Sequence, residues 1–224
     1  MKNIALILAS GIGSRCGTQI PKQFVEVNGQ TILEHSFYAF ENNNLIDEII
    51  IVTNEEYLQK VEKMFEHSKK LSKVISGGIT RKDSSFNGIR VIKEMEANVL
   101  IHDGVRPLIT QQIINDCIEA LKTHSAVCTT VDSVDTIFII DQNNDINSIP
   151  QRQNIKCAQT PQCFKLSLIK DAHSKANQDH NCNVTDDCGL IINYTNSKIH
   201  TIQGSVDNIK ITHFKDIEFT RSKL

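Results

Sequence analysis

Neither sign of charge dominates this 224-residue chain: 24 Lys and Arg stand against 26 Asp and Glu, a formal charge of -2. Binding to nucleic acid or a membrane normally needs a concentrated basic surface, so neither partner is indicated and any anion site must be local. Long apolar runs are also absent. The first, Ile4 to Ala9, covers six residues, too short for a membrane span and without a signal-peptide cleavage pattern, and reads as a buried strand. The seven cysteines (Cys16, Cys117, Cys128, Cys157, Cys163, Cys182 and Cys188) include no CxxC pair and no His at zinc-finger spacing. Reduced thiols in a cytoplasmic protein, most of them packed in the core, account for that pattern. With no repeat, low-complexity tract or Pro/Gly/Ser linker, one domain over residues 1–224 is expected. That length can bury a core without disulfides or a structural metal.

What is present is an alternation of short apolar runs and amphipathic stretches, the pattern of a mostly parallel sheet covered by helices. The runs are Ile4 to Ala9, Ile49 to Thr53, Val99 to Ile101 and Ala126 to Val131. Leu33, Phe37 and Phe40 line one helix face, as do Ile114, Cys117 and Leu121, and both stripes read as core. Thr53-Asn54 before Glu55-Glu56 predicts a capped helix start, the helix running to about His67. Gly77-Gly78 before Thr80-Arg81-Lys82-Asp83-Ser84 predicts a tight turn into a helix ending near Glu96, whose start could hold an anion or a base edge. From Ser133 to Ile149 the pattern alternates around the polar stretch Asp141 to Asp145, predicting a protruding β-arm over about 133–152.

The chemistry gathers at loops. After the first strand come Ala9-Ser10-Gly11-Ile12-Gly13-Ser14-Arg15 and then Pro21-Lys22-Gln23-Phe24. Glycines there let backbone N–H groups approach a phosphate, and Arg15 and Lys22 add charge. A dinucleotide-binding turn would want a third glycine three positions beyond Gly13, which is missing, and a helix opening where Pro21 intervenes. A P-loop would want Gly-Lys-Ser/Thr. A phosphate loop of a third kind remains. His102-Asp103-Gly104-Val105-Arg106-Pro107 follows the Val99 run, at the strand edge where ligands of open α/β sheets collect. Asp103 suits Mg²⁺, and Arg106 could grip a phosphate or simply pair with Asp103 at the surface. His102 reads as a strand-end histidine satisfied by backbone.

These blocks occur together with Asp135-Thr136, Arg152, Gln159-Thr160-Pro161-Gln162, Thr185-Asp186-Asp187 and Asn208-Ile209-Lys210. In that order, over almost the whole length, the chain resembles the cytidylyltransferases acting on methylerythritol 4-phosphate and ribitol 5-phosphate. The resemblance implies a single Rossmann-like α/β nucleotidyltransferase domain, a homodimer built through the β-arm, and a divalent cation, Mg²⁺. It implies that Arg15, Lys22 and Lys210 act on the CTP phosphates and the pentavalent centre. Ala9, Ser10, Gly11, Gly13, Gly78, Arg81 and Ser84 would bind the nucleotide, Gly78 and Ser84 at the cytosine, and Asp103 would hold the metal. Arg106, Thr136, Arg152 and Thr185 would hold the polyol phosphate, Thr136 and Arg152 from the partner subunit. Ser10, Cys16 and Gly104 depart from the family's usual Ala or Gly, Met and Ala, and none of these changes removes a charge.

The acceptor of such a reaction is already an anionic phosphate monoester, so no general base is needed, and fixed cations must overcome the repulsion between two anions. Val105, Ile149-Pro150-Gln151-Arg152 and Cys188 look more like the ribitol-phosphate branch, which makes ribitol 5-phosphate the favoured acceptor and methylerythritol 4-phosphate the alternative. A nicotinamide-dependent oxidoreductase using the Gly11/Gly13 loop and a relative that binds CTP without turnover are the rival readings. Lys22 after Pro21 opposes the first, and the retained Lys22, Asp103, Arg106 and Lys210 oppose the second.

Overall fold

In the computed structural model, which describes residues 1–11 and 20–224, each anticipated apolar run is a strand. In chain order, β1 (Lys2–Leu8) is followed by a small hairpin of β2 (Glu26–Val27) and β3 (Gln30–Thr31), then α1 (Ile32–Glu41) and β4 (Glu48–Thr53). Next come α2 (Leu58–Met64), β5 (Leu71–Ser76), α3 (Arg81–Arg90), β6 (Ala97–Asp103), α4 (Gln111–Ala120) and β7 (Ala126–Asp132). An arm of β8 (Ile139–Ile140) and β9 (Ile146–Ser148) precedes β10 (Lys156–Lys165), α5 (Leu166–Ala176), α6 (Asp187–Tyr194), β11 (His200–Gln203) and α7 (Phe214–Lys223).

The main sheet runs β11-β7-β10-β6-β1-β4-β5. All pairings are parallel except those of β10, which lies antiparallel between β6 and β7. Because successive side chains of a strand point to opposite faces, β1 feeds two cores. Ala5 and Ile7 join Leu33, Phe37 and Phe40 of α1 and Ile114 and Cys117 of α4. Ile4, Leu6 and Leu8 join Ile89 of α3, Ile169 of α5 and Leu190 of α6. Each such buried Leu, Ile or Phe contributes roughly 1.5–3 kcal/mol of transfer free energy.

Several boundaries differ from expectation. Asn54 stands before a 3-10 turn (Glu55–Tyr57) and makes no side-chain cap bond. Thr53 cannot cap either, being the buried last residue of β4 with its hydroxyl unpartnered. The α2 helix ends at Met64 rather than His67, and α3 at Arg90 rather than Glu96. In the arm only Ile139–Ile140 and Ile146–Ser148 pair as strands; Asn144, at φ 66°, takes the left-handed conformation its polar turn needs. No described helix is long and apolar enough to cross a membrane.

Candidate active site

The parallel strands β1, β4, β5 and β6 end at one rim, and a cleft with ≈ 620 Å³ of empty volume opens there. Ala9, Ser10 and Gly11 enter it from β1, Asp103 from the last position of β6, and Gly78, Arg81 and Ser84 from the start of α3. Lys22 and Lys210 complete it from opposite ends of the chain. Gly13 and Arg15, expected in the same loop, and Cys16 lie outside the described residues.

Local sequence explains the α3 wall. Thr80 caps α3 by accepting from Asp83 N–H at 3.1 Å, and Asp83 accepts from Thr80 N–H at 3.1 Å, a reciprocal box that fixes the first turn. The Ser84 hydroxyl donates to Thr80 C=O at 3.0 Å, accepts from Gly78 N–H at 3.1 Å and lies 2.8 Å from the Ser10 hydroxyl, tying the turn to the loop after β1. Gly78 is required by space: a Cβ there would sit 2.3 Å from Asp83 Cβ.

Asp103 is the electrostatic centre, its side chain 8% exposed. Arg81 Nε lies 3.1 Å from Oδ1, while Lys210 Nζ at 3.0 Å and Arg106 Nε at 3.6 Å reach Oδ2. Burial opposes ionisation of this carboxyl, but Arg81, Lys210 and Arg106 outweigh it and hold the group well below the usual carboxylate range. His102 behind it is neutral, burial pushing the imidazole down to about 4. Asp103 N–H donates to the Thr160 hydroxyl at 3.1 Å, that hydroxyl can donate to His102 Nδ1 at 3.0 Å, and Nε2 faces Arg106 C=O at 3.1 Å. The chain of donors closes with one ring proton on Nε2. His102 therefore braces the turn through backbone and a hydroxyl, as its position at the strand end suggested.

The 208–211 segment is stitched to the same rim. Arg106 Nη1 donates to Asn208 C=O at 2.8 Å, Ile211 N–H to Val105 C=O at 2.9 Å, and Lys22 Nζ to Ile211 C=O at 2.6 Å. Lys22 is thus tied to the backbone one residue beyond Lys210.

Four expected acceptor residues stand apart. Arg106 sits behind Asp103 rather than in the cleft lining, and Thr185 is exposed outside it. Arg152 Nη2 donates to Thr136 Oγ1 at 3.1 Å, but both are exposed on or beside the arm, outside the cleft of their own chain. Conversely, buried Asp187, Gln162 and Asn208 support the rim without having been assigned a role. Asp186 caps α6 through Gly189 N–H at 2.8 Å, while the adjacent Asp187 turns inward to Arg81 Nη1 at 2.7 Å. A run of two acids at a helix start does not say which will do which.

Asp103 fits a divalent cation in one specific manner. Among the described residues no group of three or more His, Cys, Asp or Glu side chains could hold a metal. A single carboxylate with about four lone-pair sites suits Mg²⁺ arriving with polyphosphate and water as its other ligands.

A mostly parallel α/β sheet with a cationic cleft at its strand ends defines a nucleotidyltransferase-like protein. Residues 3–223 match the family model described as IspD, 2-C-methyl-D-erythritol 4-phosphate cytidylyltransferase. The chain belongs to that family and is a CTP-dependent cytidylyltransferase. It is similar to the 2-C-methyl-D-erythritol 4-phosphate cytidylyltransferase of Lachnospira eligens, 40% identical over 220 residues covering 96% of each chain. It is also 37% identical, over its full length and 48% of the relative's, to the Bifunctional ribulose 5-phosphate reductase/CDP-ribitol pyrophosphorylase Bcs1 of Haemophilus influenzae. Among solved structures, the 4-diphosphocytidyl-2C-methyl-D-erythritol synthase of Anaerococcus prevotii superposes with a TM-score of 0.89 at 31% identity, covering 99% of this chain and 97% of that one. The family and most of these names weigh against ribitol 5-phosphate as the favoured acceptor.

Proposed function

We propose that this protein transfers the cytidylyl group of CTP to 2-C-methyl-D-erythritol 4-phosphate, the acceptor that replaces ribitol 5-phosphate as the favoured one. The observation that carries the transfer is the convergence of Lys22, Arg81 and Lys210 on a cleft walled by Asp103. The acceptor phosphate oxygen attacks the α-phosphorus of CTP, a new P–O bond forms, the α–β bridge bond breaks, and pyrophosphate leaves with its electron pair. No proton has to move first. Lys22 and Lys210, joined by Arg15 as the family resemblance implies, would stabilise the crowded anionic centre and the departing charge by electrostatics. Asp103 would hold a divalent cation, which supplies Lewis-acid neutralisation of the phosphates when bound. Gly78 and Ser84, with the Ala9-Ser10-Gly11 loop, would take the base and ribose side of CTP.

The same reading gives the arm its use. Phe138, Ile139, Ile140, Ile146 and Ile149 are all exposed on it, and β8 and β9 pair only with each other. A second copy covering that apolar surface would make a homodimer and bring Arg152 and Thr136 to the acceptor phosphate in its neighbour's cleft. Incubation with Mg²⁺-CTP and, separately, methylerythritol 4-phosphate, ribitol 5-phosphate and sugar 1-phosphates, with pyrophosphate as readout, tests class and acceptor together. Methylerythritol 4-phosphate is expected to give the highest kcat/KM. A preference for ribitol 5-phosphate would overturn the acceptor, and no release with any of them would overturn the transfer.

A further inference from the structure

The buried group that the transfer chemistry leaves unused is Asp187, 1% exposed and absent from the cleft lining. Its Oδ2 takes Arg81 Nη1 at 2.7 Å, its Oδ1 takes the Ser85 hydroxyl at 2.5 Å, and its N–H is held by Gln162 Oε1 at 3.0 Å. His173 Nε2 lies 3.8 Å from Oδ1, yet burial pushes that imidazole down to about 4, leaving it neutral near pH 7. Among the described residues, Arg81 is therefore the one full positive charge paired with Asp187. The guanidinium is in turn spread between two carboxylates, Nη1 on Asp187 behind the cleft and Nε on Asp103 at its wall. Its remaining nitrogen, Nη2, is buried and has no hydrogen-bond partner among the described residues. A guanidinium held at two of its nitrogens cannot swing about its long side chain, and a fork fixed in advance loses less freedom when it binds an anion.

We propose that Asp187 is a positioning residue for nucleotide binding, acting only through Arg81, whose guanidinium it fixes at the cleft wall. This inference rests on the cytidylyl-transfer reading. Without the Asp187 anchor, Arg81 keeps its Nε contact with Asp103 but loses the second hold that fixes its guanidinium at the cleft wall. The cost appears in CTP binding, while the acceptor, held by other residues, is unaffected.

The test is a double-mutant cycle on CTP affinity, measured by calorimetry with Mg²⁺ and no acceptor, using Asp187→Asn, Arg81→Ala and the double variant. Asp187→Asn is expected to weaken CTP binding about tenfold or more, the scale of losing one hydrogen bond to a charged group. Its KM for CTP should rise and that for the acceptor stay unchanged. In the Arg81→Ala background the same substitution should change CTP affinity by less than about twofold, since sites acting as a unit are not additive. Equal effects in both backgrounds, or an unchanged CTP affinity in a folded Asp187→Asn variant, would overturn the proposal. Should Asp187→Asn fail to fold, Ser85→Ala keeps the carboxylate and loosens it. A weaker shift in the same direction, absent without Arg81, is then expected, and no shift overturns the inference. Failure of the unaltered protein to bind CTP would sink the transfer reading instead.

Discussion

Lys22 and Lys210 come from opposite ends of the chain, yet Lys22 is tied to Ile211 C=O and Lys210 to Asp103. Each places a cation at the cleft without a covalent role, so its removal should slow the step rather than abolish folding. Lys22→Ala and Lys210→Ala are each expected to lower kcat about a hundredfold or more, the loss seen when one preorganised charge-stabilising donor is removed. Pyrophosphate release at saturating CTP checks this, and near-unaltered turnover in either variant would take that lysine out of the mechanism. Lys22 and Asp103 stood out in the sequence because anion chemistry favours such residues beside a glycine turn and at a strand end, whereas Lys210, in a stretch bland by itself, was reached only through the family resemblance. Asp187, Asn208 and Gln162 did not stand out. Their partners lie far away in sequence, among them Asn208 Nδ2 on Thr160 C=O at 3.0 Å and Gln162 Nε2 on Asp186 at 2.7 Å, and local spacing carries no mark of such contacts.

Among the elements, α3 does most to shape the cleft wall, and its cap residue and one glycine within it define how. Thr80 closes the reciprocal cap from which Gly78, Arg81 and Ser84 are hung. Thr80→Ala should therefore cost about 1 kcal/mol of stability and raise the KM for CTP, read from urea midpoints and initial rates on the same preparation; a raised midpoint with unchanged KM would contradict the role. Gly88, on the opposite face, lets α3 lie against β1, for a Cβ there would meet Leu6 Cδ1 at 2.4 Å. Gly88→Ala should overpack this contact and cost about 1–3 kcal/mol, and an unchanged urea midpoint would show that Leu6 simply moves aside. The apolar runs and helix stripes were readable because period and burial coincide. The antiparallel insertion of β10 was not, since a Pro161-containing run gives no sign of which neighbours will flank it.

Across the whole molecule, buried histidines set the response to acid. Burial pushes both His102 and His173 down to about 4, against about 6.5 for an unfolded imidazole. Between those values the unfolded chain holds more protons, so stability is complete above about 6.5 and declines as pH falls toward the folded value. Each site can withdraw about 3 kcal/mol over that window. Asp103, held below the ordinary carboxylate range, adds its own loss only at still lower pH. Urea midpoints measured from pH 7.5 to 4.5 should therefore fall steadily below about pH 6.5, and a flat profile would mean that both imidazoles charge inside the fold.

The order of strands carries a further consequence for how the protein comes into being. Asp103's strand, β6, lies between β1 and β10, whereas Lys210 is some hundred positions further on. On the ribosome, β1, β4, β5 and β6 can associate as soon as they emerge, but the flank that β10 covers stays open until residues 156–165 have been made. An incomplete chain thus presents a bare parallel edge, prone to sticking, and an aspartate without its lysine. Synthesis thus leaves Asp103 without this partner until the 208–211 segment is threaded into place.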